Sequence, residues 1–160
     1  MKALGFFFRR RGAGKFRGEE SGAVLAEALL AIPFVTLFAV GILEFGNIFW
    51  QKQQIETGLR DAARYMARCR PTTPTYTANC NVTTAKTIAY YGTQSPALGA
   101  KLRVPGWGPD LADITVGAAD ANGDFTVSTA HVYQSSPLFS WLGIDVITLH
   151  SAQQERYMGW

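Results

Sequence analysis

The residues in this chain whose chemistry depends on spacing are few. Glu27 is the only charge in the apolar run from Ala23 to Leu43, and it follows Gly22 by five residues. A carboxylate at the centre of such a run costs about 2.5–3.5 kcal/mol on insertion scales and marks a functional site with a partner. In the first turns of a span it can instead reach toward the headgroups. Cys69 and Cys80 are the only cysteines. They can close a disulfide, whereas with only the distant His131 and His150 to help they fall short of a metal's ligand set. Asp120, Asn122 and Asp124 alternate as calcium ligands do, but Gly123 comes too early for a calcium loop, and Asn122-Gly123 is a hairpin turn signal.

Other chemistries find no footing. The segment after the apolar run holds no nucleophile elbow, no paired metal histidines and no glycine-rich cofactor loop, so neither enzymatic activity nor a cofactor is expected. Gly12-Ala13-Gly14-Lys15 fails as a phosphate loop, because Phe16 stands where Ser or Thr would bind magnesium and the first glycine would fall on Arg9. The net charge is only +3 and no aromatic interleaving follows the basic leader, so no nucleic-acid partner is expected.

The elements that must position Glu27 are a leader and a helix. Lys2, Arg9, Arg10, Arg11, Lys15 and Arg17 precede Gly22, whereas the twenty residues after Leu43 hold only Lys52 and Arg60 as cations. That asymmetry keeps the N-terminus cytoplasmic. A secretory signal peptide has a shorter apolar core and a small-residue cut site behind it, a poor match to this run with its embedded Glu. The run is long enough to cross ~30 Å of hydrocarbon at roughly 1.5 Å per residue. Pro33 lacks a ladder N–H and should kink or loosen one turn. Glu44 lies seventeen residues past Glu27, which places it at the outer interface beside the aromatic belt of Phe45, Phe49 and Trp50. There it reads as an ordinary solvated carboxylate. From Gln51 to Arg68 the residues Ile55, Leu59, Ala62, Ala63 and Met66 keep a helical rhythm, and Glu56 pairs with Arg60 one turn on. One helix from about Ala23 to Arg68 follows, half in lipid, its wet stripe packing on a small domain or on a partner helix.

Gly22, Glu27, Pro33, Glu44-Phe45-Gly46 and Arg60-Asp61-Ala62-Ala63-Arg64-Tyr65 together resemble the TadE-like family, pilin-like proteins of Flp (tight adherence) pilus systems. Members usually carry an aromatic directly after the Glu, where this chain has Ala28. The resemblance implies a minor pilus-assembly component of the bacterial inner membrane, single-pass, with its C-terminal part extracytoplasmic. It implies cleavage between Gly22 and Ala23 by a prepilin peptidase, and pairing of Glu27 with the freed Ala23 amine of a neighbouring subunit, which would set register. Its partners would be other pilin-like subunits and the pilus machinery, with Ala26, Ala31 and Gly41 permitting close helix approach. The competing reading is an unprocessed single-span anchor presenting a small extracytoplasmic binding domain.

On this topology both cysteines face an oxidising compartment. A Cys69–Cys80 disulfide closing the Pro/Thr-rich loop between them contributes roughly 2–3 kcal/mol. Thr84 to Tyr91 reads as a short helix stopped by Gly92, and Thr93 to Pro109 as an irregular connection. Asn81-Val82-Thr83 matches a glycosylation sequon, incidental in a bacterial protein. Asp113 to Val116 and Phe125 to Tyr133 read as a hairpin, and Asp145 to Gln153 as a further strand. In that strand Val146, Thr148 and His150 line one face and Ile147, Leu149 and Ser151 the other. Both histidines sit in strands, where satisfied sheet residues are the commoner explanation. In the loop holding Pro137, Phe139 and Trp141, the Phe139 to Leu142 cluster reads as a plug over the sheet or as a partner-binding tip. The expected class is α+β: a long N-terminal helix, transmembrane then amphipathic, followed by a small antiparallel sheet. The expected division is 1–22 leader, 23–50 transmembrane helix, 51–69 emergent amphipathic helix, and 70–160 outer α+β domain.

Overall fold

A computed structural model describes residues 19–69, 74, 75, 77, 80–108, 113–133, 139, 143 and 146–158, without the side chains of 19–21. The basic leader, most of the loop between the cysteines, Pro109, Pro137, Trp141 and Asp145 lie outside the described residues.

The helix α1 runs unbroken from Glu19 to Ala67 with Pro33 inside it. It begins about one turn before the expected start at Ala23. The hydroxyl of Thr36 donates to the Ile32 carbonyl at 2.7 Å in the turn around Pro33. The chain divides into two compact units, Met1–Leu43 and Glu44–Trp160. In the first, the described side chains of α1 are apolar almost all round and exposed, Phe38 and Leu43 to 72%. A helix hydrophobic on every side belongs in a core or a bilayer, and Gly22–Ala67 is long and apolar enough to cross a membrane.

In the second unit the stripe Ile55, Leu59, Ala62, Ala63 and Met66 is buried, as its spacing predicts. It joins one hydrophobic cluster with Ala85, Ala89 and Tyr90 of α2 (Val82–Tyr91) and with Ile114, Phe125, Val127 and Leu149 of the sheet. α2 starts two residues earlier than Thr84 because Asn81 caps it: the side chain accepts from the Thr83 N–H at 2.8 Å. The asparagine read as part of a sequon is therefore occupied with the helix start. Gly92 ends α2 in the left-handed conformation, its N–H donating to the Ile88 carbonyl at 2.8 Å.

Three antiparallel strands follow in the order β1-β2-β3: β1 Ile114–Val116, β2 Asp124–Val132 and β3 Thr148–Arg156. The hairpin register sets Val116 opposite Val127, and β2 pairs with β3 from Asp124↔Arg156 to Val132↔Thr148. The turn is built as Asn-Gly and Asp chemistry requires: Asp120 Oδ1 accepts from the N–H groups of Asn122 and Asp124, both at 2.8 Å, and Gly123 takes a positive φ of 83°. β3 ends three residues beyond the expected Gln153. After Leu149 its only apolar side chain is the exposed Ala152, so its far end is held by pairing, with Arg156 donating to both carboxylate oxygens of Asp124 at 2.8 and 3.1 Å. Its two faces alternate as expected, with His150 exposed and Leu149 buried.

Candidate functional site

The N-terminal candidates all lie on α1. Gly22 occupies its first turn, and a Cβ built there would meet nothing within 4 Å. Ala23 and Glu27 stand one turn apart on one face of the helix. Both are exposed, and among the described residues Glu27 has no ion-pair partner. The apolar run thus presents its lone carboxylate, four residues from the alanine, on a surface of Val24, Leu25, Leu29 and Leu30.

Where α1 enters the second unit the chemistry changes. Glu44 is buried, 7% exposed, which overturns the reading of a solvated interfacial carboxylate. The reason lies in Tyr133, just beyond β2. The Tyr133 hydroxyl donates to Glu44 Oε1 at 2.9 Å and accepts from the Asn47 amide at 2.9 Å. Burial pushes the Tyr133 hydroxyl above its ordinary pKa, and the hydrogen bond to Glu44 and its charge push in the same direction. The phenol therefore stays protonated and remains a donor. Gln51 continues this polar edge of α1, two turns from Glu44 and 5% exposed, and among the described residues its Oε1 lacks a hydrogen-bond partner. Phe45 and Phe49 remain exposed beside it.

Further along, the Arg60 to Tyr65 segment divides by face. Ala62 and Ala63 are fully buried, and Arg60 and Arg64 are exposed. Asp61 accepts an ion pair from Arg103 of the irregular connection. Asp61, Arg64, Tyr65 and Arg68 line an open groove of ≈ 400 Å³ with Ile88 and Cys80. Cys69 and Cys80 are disulfide-bonded, with Cα atoms 5.7 Å apart, which ties the end of α1 to the start of α2. Gly58 lets α2 approach: a Cβ there would stand 2.5 Å from the Ala89 carbonyl oxygen and 3.0 Å from the Trp107 ring. Trp107, fully buried in the connection, packs edge-on against Tyr90 at 4.9 Å, and its indole N–H donates to the Thr129 hydroxyl at 3.2 Å.

His131 is buried, 3% exposed, and among the described residues its Nε2 has no hydrogen-bond partner, so it is not the satisfied sheet histidine expected. Burial pushes its pKa below the ordinary histidine value, against an opposing pull from Asp113. Among the described residues no group of three or more His, Cys, Asp or Glu could hold a metal ion. Sequence reasoning missed Tyr133, Asn47, Gly58 and Trp107. Only Gly58 carried a signal, as the lone glycine in an otherwise uninterrupted helical stripe.

Comparison with known families locates one match. The model of the TadE-like protein family matches residues 22–64, from the glycine at the start of α1 through the Arg60 to Arg64 segment. It is the family that those residues resemble. No curated protein and no solved structure matches the chain.

Proposed function

We propose that this chain is a pilin-like minor component in assembly of a Flp (tight adherence) pilus, cut after Gly22 by a prepilin peptidase. The observation that carries this reading is the TadE-like match, which opens at Gly22 and covers the apolar run from Ala23 to Leu43, whose only charge is Glu27. The apolar part of α1 crosses the bacterial inner membrane, with the N-terminus cytoplasmic and the C-terminal part of the chain outside. Cleavage frees the Ala23 ammonium at the membrane edge. Opposite charges in a medium of low dielectric attract strongly, so Glu27 of one subunit meets the amine of the next and sets axial register. The role is assembly without catalysis or cofactor, and the partners are pilin-like subunits and the machinery that gathers them.

The peptidase must open the first turn of α1 to reach the bond. Helix ends fray easily, and glycine there lowers the cost of doing so. The helical state of Gly22 is also the observation that favours the other reading, an unprocessed single-span anchor. Mass spectrometry of the N-terminus in native membranes, with and without the prepilin peptidase, separates the two. A mature start at Ala23 that disappears without the peptidase is expected, and Met1 retained in both strains would leave the anchor. Glu27→Gln is expected to abolish partner recruitment while leaving cleavage intact.

A further inference from the structure

β3 is an edge strand of nine residues, and its backbone polarity can be read from the bonds around it. The Tyr133 N–H donates to the Ile147 carbonyl and the Tyr157 N–H to the Gly123 carbonyl, so odd-numbered residues of β3 point their N–H and C=O groups at β2. Even-numbered residues therefore point theirs away. Thr148, His150, Ala152, Gln154 and Arg156 offer five N–H and five C=O groups along one line, and among the described residues no backbone group answers them. The opposite edge, β1, is only three residues long. Natural sheets blunt such edges with proline, lysine or a bulge. β3 has none of these, and from Thr148 to Gln154 it holds no Asp, Glu, Lys or Arg.

We propose that the free edge of β3 pairs antiparallel with β3 of a second copy of this chain, making one continuous six-stranded sheet. The sequence of the strand argues for self-pairing. With Ala152 opposite Ala152 on the two-fold axis, all nine residues overlap and the outward-pointing even positions meet one another, as the hydrogen-bond phase demands. The smallest side chain of the strand then lies on the axis. His150 faces Gln154, Thr148 faces Arg156 and Leu149 faces Glu155, so no like charges stand opposite. On the inner face Ser151 meets Gln153 of the second copy. Among the described residues Ser151 Oγ is a buried hydroxyl without a partner, and a cross-strand neighbour at about 4.5–5.5 Å between Cβ atoms gives it an amide to bond. Strand pairing alone buries less than the ~1,000 Å² of a stable soluble interface, so the contact belongs to copies concentrated in a membrane. It does not depend on whether Gly22 is cut.

The experiment is oxidative cross-linking of the full chain in native membranes. Ala152→Cys places two thiols across the axis with Cα atoms ~5.5 Å apart, within the span of a disulfide. Ser128→Cys, on the same sheet face of the central strand, is the collision control. About tenfold more homodimer from Ala152→Cys than from Ser128→Cys is expected, since only the edge position meets that distance. Gln154→Pro removes an outward N–H without touching the bonds to β2, and in the Ala152→Cys background it should return dimer to the control level. Register has its own readout, independent of the proline: co-expressed Ser151→Cys and Gln153→Cys chains should cross-link to each other more than either does to itself. Equal dimer from Ala152→Cys and Ser128→Cys, dimer that survives Gln154→Pro, or an Ala152→Cys adduct to a different protein would each overturn the pairing.

Discussion

A buried carboxylate is tolerated only when donors replace the water it loses. Glu44 meets that condition through the Tyr133 hydroxyl, which Asn47 orients from the other side. Tyr133→Phe keeps the ring and deletes the donor, so the cost is that of a hydrogen bond to a charged group, about 1.5–3 kcal/mol. Glu44→Gln keeps the shape and lowers the demand for donors. The Glu44→Gln, Tyr133→Phe double variant is therefore less destabilised than the sum of the single changes, with a coupling of about 0.5–3 kcal/mol. Denaturant midpoints of the four proteins in detergent measure it, and additive losses would mean that the bond contributes nothing specific. None of this was legible at Glu44 itself. In sequence it stands at the end of an apolar run between Leu43 and Phe45, where a solvated reading is natural, and the residue that buries it lies 89 positions away.

Elements were legible where one periodicity decided them. The stripe from Ile55 to Met66 read as helix because apolar residues recurred every three to four positions, and it is the face that α1 buries. The Asn122-Gly123 turn read as a hairpin because few residues tolerate its backbone. The limits of α2 and β3 were shifted because they rest on partners: a cap from Asn81, and pairing of Arg156 with Asp124. Trp107 was missed because the connection around it has no period at all. The close approach of α1 and α2 at Gly58 is likewise a tertiary property. Alanine gains up to about 1 kcal/mol over glycine in a helix interior. At Gly58 that gain is outweighed, because the Cβ must displace a backbone oxygen of α2 or the Trp107 ring, and overpacking costs about 1–3 kcal/mol. Gly58→Ala should lower the melting temperature. Gly46→Ala, on the same helix with nothing within 4 Å of its Cβ, should leave it unchanged or raise it. Equal effects at the two sites would refute the close approach.

Within the Glu44–Trp160 unit, His131 and Asp124 make stability depend on pH in separate windows. His131 is buried on the inner face of β2, and its folded pKa lies below the model-peptide value of 6.5 because burial disfavours the imidazolium. The unfolded chain therefore binds the proton more readily. Stability from this site is complete above about pH 6.5 and is lost as pH falls through that value toward the folded pKa. Asp124 behaves similarly lower down. The hydrogen bond from Arg156, before its charge, holds the carboxyl below 3.8, so its contribution is present above that value and disappears as pH falls through the lowered folded pKa. Arg156 is exposed and Asp124 half-buried, so water screens the pair and its share is the smaller. Unfolding followed by the fluorescence of buried Trp107 should show a first decline beginning near pH 6.5 and a second below pH 3.8. His131→Leu should abolish the first decline and leave the second, because Leu removes the buried proton acceptor and keeps an apolar side chain against Leu149, its pairing partner on β3. Asp124→Asn should weaken only the second. A first decline that persists in His131→Leu would place the acid sensitivity in another group and remove buried His131 as its cause.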